Sequence, residues 1–250
     1  MPASTANSSE AARPRNYFAT TRWSVVLKAG QCDTPRGRDA LARLCQTYWF
    51  PLYAYVRRRG HSPEDAKDLT QGFFVRLIEH QTLAHADPNQ GRFRSFMRGA
   101  MKHFLADERA KEQTLKRGGG HGPFSLNLAA AEERLDLEPA DDASPDKIFD
   151  KQWAAALLGA VLDQLAEEFR RDGKAELFEA LKLTLNGPRE SQPYSALATS
   201  LGMNEGAVKV AVHRLRKRYR ALLQAEIKST VASPEEAKEE MRDLFEALSG

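Results

Sequence analysis

The chain has 250 residues, 42% hydrophobic and 28% charged, with a net charge of only +3, which suits folded cores and leaves one large domain or two small ones open. No run of eighteen apolar residues occurs, and the opening stretch MPASTANSSEAARPRNYF lacks an apolar core, so neither a membrane span nor export is expected. Cys32 and Cys45 are the only cysteines; they make neither a disulfide framework nor a metal site and fit a reducing cytoplasm.

In chain order, residues 1–15 are polar and Pro/Ala/Ser-rich and are expected to be a disordered tail. Thr20 or Thr21 can cap a short helix carrying Trp23, Val26 and Leu27. A helix is predicted from about 36 to 49, with Leu41, Leu44, Cys45 and Tyr48 at three/four spacing. Pro51 is expected to open a separate helix, PLYAYVRRR, which Gly60 stops. Ser62-Pro63-Glu64-Asp65 is a capped helix start, and Ala66, Leu69, Phe73 and Leu77 form the buried side of the helix that begins there. After the loop HADPNQGR, a helix runs from about 93 to 116 with Phe93, Phe96 or Met97, Ala100 and Phe104 as its apolar side, and GGGHG ends it.

Residues 118–143 hold Gly, Pro and acids with one short Ala-rich turn, and read as a linker between a domain at 16–117 and a second at 144–228. Ser144-Pro145-Asp146 opens the second domain, with helices expected at about 146–170, 173–186, 194–201 and 204–228. A C-terminal extension, 229–250, carries a helix starting at Ser233-Pro234, with Met241, Leu244, Phe245 and Leu248 on one side. That stripe suits docking onto the second domain, onto a regulator, or onto the protein's own core. No period-two pattern of any length occurs, so the fold class is all-α, as two helical domains.

The modest net charge conceals strong segregation. Between Arg92 and Arg117 eight Lys/Arg face three Asp/Glu; between Glu132 and Asp150 eight acids face two bases; between Glu205 and Arg220 six bases face one acid. Two basic patches thus flank an acidic joint. Catalytic chemistry finds little support. GGGHG lacks the Gly-Lys-Ser/Thr of a phosphate loop, His80 and His85 have the wrong spacing for a zinc helix, and no nucleophile elbow occurs, so no enzyme activity, metal or cofactor is expected.

The stretch LGMNEGAVKVAVHRLRKRYR is more informative. Tyr194 to Leu201, a turn at Gly202 and a helix capped by Asn204 have the dimensions of a helix-turn-helix, with Ala198 small enough for close helix approach. Val208, Val212, Leu215, Tyr219 and Leu222 form the buried stripe, which turns Val210, His213, Arg214 and Lys217 outward, flanked by Lys209, Arg216, Arg218 and Arg220. A solvated helix interleaves Glu with such bases to gain i,i+4 pairs, yet none occurs between Glu205 and Glu226. That pattern points to a basic surface for the DNA major groove. Arg94, Arg98 and Lys102, with His103 and Arg109 nearby, offer a second basic helix opposite the aromatics of 93–104.

On three stretches, SPEDAKDLTQGFFVRL, GRFRSFMRGAMKHFLADERAK and PYSALATSLGMNEGAVKVAVHRLRKRYRALL, the chain resembles the extracytoplasmic-function (ECF) subfamily of the sigma-70 RNA polymerase sigma factors. The resemblance covers about residues 20–228. It implies an initiation factor that joins core RNA polymerase through the β′ clamp helices and the β flap and reads promoter DNA. Asp65, Asp68 and Gln71 would face the clamp helices. Arg94, Arg98, Lys102, His103 and Arg109 would contact the −10 element, and the loop 84–92 would hold a flipped base. Lys209, Val210, His213, Arg214, Lys217 and Arg218 would enter the −35 groove, with Tyr194 and Ser195 near phosphates. The acidic linker would run through the polymerase RNA path. An anti-sigma factor or a kinase is the regulator the family suggests.

Two departures stand out. Lys67 and Gly72 replace acids usual in the family, and Thr70 beside them is a site where phosphate would restore negative charge, against the simpler reading of a helix-boundary threonine. Ala211 replaces a residue that is often basic. A stand-alone helix-turn-helix regulator is the alternative reading.

Overall fold

The computed structural model describes residues 35–79, 92–114, 128–136, 144–186 and 193–249. The expected N-terminal tail, the helix around Trp23, the loop 84–91 and the GGGHG stop lie outside the described residues. Ten helices, α1 to α10, and no strand occur among them: α1 Pro35–Arg58, α2 Pro63–Glu79, α3 Phe93–Thr114, α4 Leu128–Asp136, α5 Pro145–Arg171, α6 Ala175–Leu181, α7 Leu183–Asn186, α8 Tyr194–Leu201, α9 Glu205–Ser229 and α10 Pro234–Ser249. None is long and apolar enough to cross a membrane.

The Ser-Pro starts behave as their chemistry dictates. The Ser62 hydroxyl accepts from the Asp65 amide (3.1 Å), Ser144 accepts from the Lys147 amide (3.4 Å) and Ser233 accepts from the Glu236 amide (3.1 Å). Each satisfies an amide that the first helical turn leaves without a partner, and proline follows where no amide is needed. At the start of α10 the Glu236 carboxylate also reaches back to the Ala232 amide (2.8 Å).

Two expectations are corrected. Pro51 does not separate two helices: α1 runs through it without a break. A proline removes one helical hydrogen bond. Here every residue from Tyr48 to Val56 is buried, and that packing outweighs the local penalty. The Ala-rich turn of the expected linker is a nine-residue helix, α4, held against α1. Arg57 donates to Glu132 at 2.8 and 2.9 Å, Tyr53 also donates to Glu132, and the Arg134 guanidinium lies 4.1 Å from the Phe50 ring centre.

The core is continuous from one end of the described chain to the other. α1 and α5 make the most extensive helix contact, α10 lies on α5, and α9 packs on α5, α8 and α10. Phe149 of α5 is fully buried with its ring edge-on to Tyr55 of α1, centroids 6.4 Å apart. The halves on either side of the expected linker therefore share one hydrophobic interior rather than hanging apart. Burying side chains such as Phe149, Leu157 and Val161 contributes about 1.5–3 kcal/mol each. Phe149→Ala is expected to lower unfolding stability by about 3–5 kcal/mol, measured by urea denaturation, with both halves of the chain weakened together.

Candidate nucleic-acid interface

The helix-turn-helix forms as its residues require. Gly202 closes α8 at φ 62°, a left-handed conformation that glycine adopts without strain, and the Met203 amide donates to the Ala198 carbonyl at 2.9 Å. Asn204 caps α9, its side-chain oxygen accepting from the Ala207 amide at 2.7 Å. Val208, Val212, Leu215 and Leu222 are buried and Tyr219 is half-buried, so the stripe expected from spacing is the one that packs. Val210, His213, Arg214 and Lys217 lie exposed on the opposite side, Val210 at 50%. Lys209 is exposed and pairs with Glu205 one turn back (2.8 Å). Tyr194 is half-buried and Ser195 exposed at the start of α8.

Not every base of α9 is available. Arg218 makes two bonds to Glu168 of α5, at 2.7 and 2.5 Å, and Arg216 donates twice to the Thr184 carbonyl, at 3.1 and 2.6 Å. Both brace α9 against neighbouring elements. The outward cations left for a polyanion begin with Arg214 and Lys217.

The second basic helix departs further from expectation. Arg94, Arg98 and Lys102 share one side of α3 and all three are ion-paired to protein carboxylates, with Arg94 buried, Arg98 half-buried and Lys102 exposed. Arg94 is only 7% exposed; its guanidinium stacks 4.4 Å from the Trp153 ring centre. It donates to Glu240 at 3.1 and 2.9 Å, to Asp150 at 2.6 Å and to Asp243 at 3.1 Å. Arg98 pairs with Asp150 (3.1 Å) and Asp146 (3.4 Å), and Lys102 with Asp146 (3.0 Å). Arg92, just before the helix, pairs with Glu239 (2.7 Å), Glu240 (2.9 Å) and Asp243. The Phe93 amide completes the seam by donating to the Thr230 carbonyl at 3.5 Å.

Burial opposes the charge of Arg94, but Glu240 and Asp150 outweigh it and hold the guanidinium's pKa above its ordinary value. The same balance, with Asp243 and Glu240 prevailing over burial, acts on Arg92. Residue spacing does not single out Asp146, Asp150, Asp243, Glu239 and Glu240 as partners. Their only visible signals are the acidic run ending at Asp150 and the repeated acids of EEAKEEMRD in α10.

Arg109 is exposed further along α3. His103 is exposed too, but on another side of the helix, where it lines a cavity of about 450 Å³ with Phe73, Phe96 and Phe104 and the Arg76–Asp107 pair. It does not share the basic face with Arg94 and Lys102.

On α2, Asp65 and Asp68 are exposed as expected, whereas Gln71 is only 6% exposed and does not present its side chain to a partner in this arrangement. Thr70 is fully buried and its hydroxyl donates to the Ala66 carbonyl at 2.7 Å. That geometry fits an ordinary helix threonine and closes the site to a kinase.

The family model described as sigma-70 region 2 matches residues 46–114, the span from within α1 to the end of α3. The chain is 26% identical over 182 residues to the ECF RNA polymerase sigma factor SigE of Mycolicibacterium smegmatis, an alignment covering 73% of this chain and 61% of that protein. Over these stretches the chain is similar to sigma-70 region 2 and to an ECF sigma factor. It spans about 61% of the length of the curated relative it matches, and no solved structure matches it.

The α1–α4 clamp carries a titration signature. The Arg57 hydrogen bonds hold the Glu132 carboxyl below its ordinary value of 4.5; burial works against them and the Tyr53 hydroxyl adds to them. Burial first, then the bond to Glu132, pushes the Tyr53 phenol well above its usual range. A depressed carboxylate contributes stability that is present above its unfolded pKa and lost as pH falls through the folded value. Between about pH 6 and about pH 3 the melting temperature of the wild type is expected to fall more steeply than that of Glu132→Gln, measured by thermal circular dichroism.

Proposed function

We propose that this protein is a transcription initiation factor that brings core RNA polymerase to promoters, with α9 reading the −35 element and α3 opening and reading the −10 element. The observation that carries the reading is the exposed face of α9, Val210, His213, Arg214 and Lys217, set on a capped helix-turn-helix in a chain that also holds sigma-70 region 2. The relative's printed name, an RNA polymerase sigma factor, supports the same partner. A partnership with polymerase implies a cytoplasmic protein.

Lys209, Val210, His213 and Arg214 lie near the N-terminal end of α9, the end that a recognition helix presents to base edges. An arginine there suits the two acceptors of guanine and an apolar valine suits a thymine methyl. Lys217 and Arg220, further along, suit phosphates, with Tyr194 and Ser195 across the turn. Arg218 joins them only by leaving Glu168. On α2, Asp65 and Asp68 offer acids to the β′ clamp helices, and Lys67 and Gly72 make this face less acidic than is usual in the family.

The test is transcription from a randomised promoter library by reconstituted core polymerase, with and without this chain, followed by sequencing of the transcripts. Addition of the chain is expected to enrich two separated sequence elements. Arg214→Ala should cost about 1–3 kcal/mol of initiation and relax preference at one −35 position, whereas Lys217→Ala should weaken all promoters alike and flatten the salt dependence. Tight binding to specific duplexes without polymerase, and no enrichment with it, would make the protein a stand-alone helix-turn-helix regulator instead.

A further inference from the structure

The face of α3 assigned above to the −10 element is already occupied by part of the same chain. Arg92, Arg94, Arg98 and Lys102 meet carboxylates on two elements, Asp146 and Asp150 at the start of α5 and Glu239, Glu240 and Asp243 on α10. Glu239 and Asp243 stand one helical turn apart, with Glu240 between them turned fully inward at 1% exposure. The α10 acids take Nε and one terminal nitrogen of the Arg94 fork, and Asp150 of α5 takes the other.

Each N–H that donates to a carboxylate is unavailable to a phosphate, so the two ligands compete for the same donors. The cover is also anchored by apolar contacts. Leu244 is fully buried and Ala237 buried beneath α10, which holds the acids in register, while Phe245 stays 56% exposed on the outer side.

We propose that α10 is a built-in competitor of promoter DNA: its acidic face occupies Arg92 and Arg94, at the start of the −10 surface, in the free protein and must lift away before this end of α3 can engage DNA. The proposal rests on the DNA-reading role assigned to α3 above. It gives the C-terminal extension a definite occupancy, the protein's own −10 surface. In this arrangement α9 keeps its outward face while α3 does not. The free protein therefore holds half of its promoter-reading surface in reserve, and the partner that opens it must compete for α10, for the α1–α5 packing, or for both.

The test is fluorescence anisotropy with a labelled mixed-sequence single-stranded DNA oligonucleotide and the full chain. Two variants are compared with the wild type, Glu239→Gln/Glu240→Gln/Asp243→Asn and the milder Glu239→Gln/Asp243→Asn, which leaves the buried Glu240 in place should the first fail to fold. At low salt each folded variant is expected to bind about ten-fold tighter or more, with the slope of log affinity against log salt steeper by about 1. Adding Arg92→Gln and Arg94→Gln, the two residues that the α10 acids hold, should remove the gain. Affinity within about two-fold of the wild type, at an unchanged slope, overturns the proposal. So does a gain that survives loss of Arg92 and Arg94. Run-off transcription with saturating core polymerase, on which the α10 variants should match the wild type, tests the sigma reading separately. Failure of every protein there, wild type included, removes the sigma reading, whereas failure in the binding assay alone removes only the cover.

Discussion

One buried guanidinium ties the molecule together. Arg94 lies against the Trp153 ring of α5, takes two bonds to Glu240 and one to Asp243 of α10, and reaches Asp150 of α5. Three elements from distant parts of the sequence thus meet on one side chain. A buried ion cluster gains little net stability over apolar packing, because desolvating the charges costs nearly as much as their attraction returns. Removing one member is different and costs about 3–5 kcal/mol, since it strands a charge in a dry site. Such a cluster is a weak source of stability but a strong constraint on arrangement: α3, α5 and α10 either sit together with every charge matched or separate into water.

The same constraint explains the asymmetry between the two basic helices. On α9, Arg216 and Arg218 are engaged by the Thr184 carbonyl and by Glu168, and this fixes the helix so that Val210, His213, Arg214 and Lys217 stay outward. On α3, Arg94 is buried against protein, Arg98 is half-buried and Lys102 is ion-paired but exposed, while Arg109 and His103, away from the cluster, are exposed. A chain with two basic helix faces therefore shows one and engages the other in its own ion pairs. Arginine suits both states, because its planar fork binds paired carboxylates and paired phosphate oxygens with the same geometry.

Much of the local structure was legible because it depends on neighbours in sequence. Ser62, Ser144, Ser233 and Asn204 announce helix starts through a side-chain oxygen three residues before an orphan amide. Gly202 announces the turn, and the 208–222 spacing selects the buried side of α9. Pro51 misled because local propensity cannot register that every residue from Tyr48 to Val56 is buried. Gln71, assigned to a partner-facing surface only through the resemblance, lies inside α2's packing, and Thr70 is buried as an ordinary helix threonine would be.

The closed arrangement was the hardest part to foresee. Arg94, Arg98 and Lys102 at four-residue spacing look the same whether they face water, DNA or protein, and the acids that meet them lie about fifty and about 150 residues away. The alternation of basic, acidic and basic segments was visible, but electrostatic patterning alone did not say that opposite segments pair within one chain. That pairing depends on α1 and α5 sharing a core, which no short window of sequence contains.

The proposal of a promoter reader kept closed by its own C-terminal helix is tested most directly by amide hydrogen exchange across α3 and α10, in the free protein and after assembly with core polymerase. Protection of 234–249 in the free chain, followed by its loss on assembly while α8 and α9 keep theirs, is the result predicted. Equal protection of α10 in both states, in an assembly that initiates transcription, would contradict it.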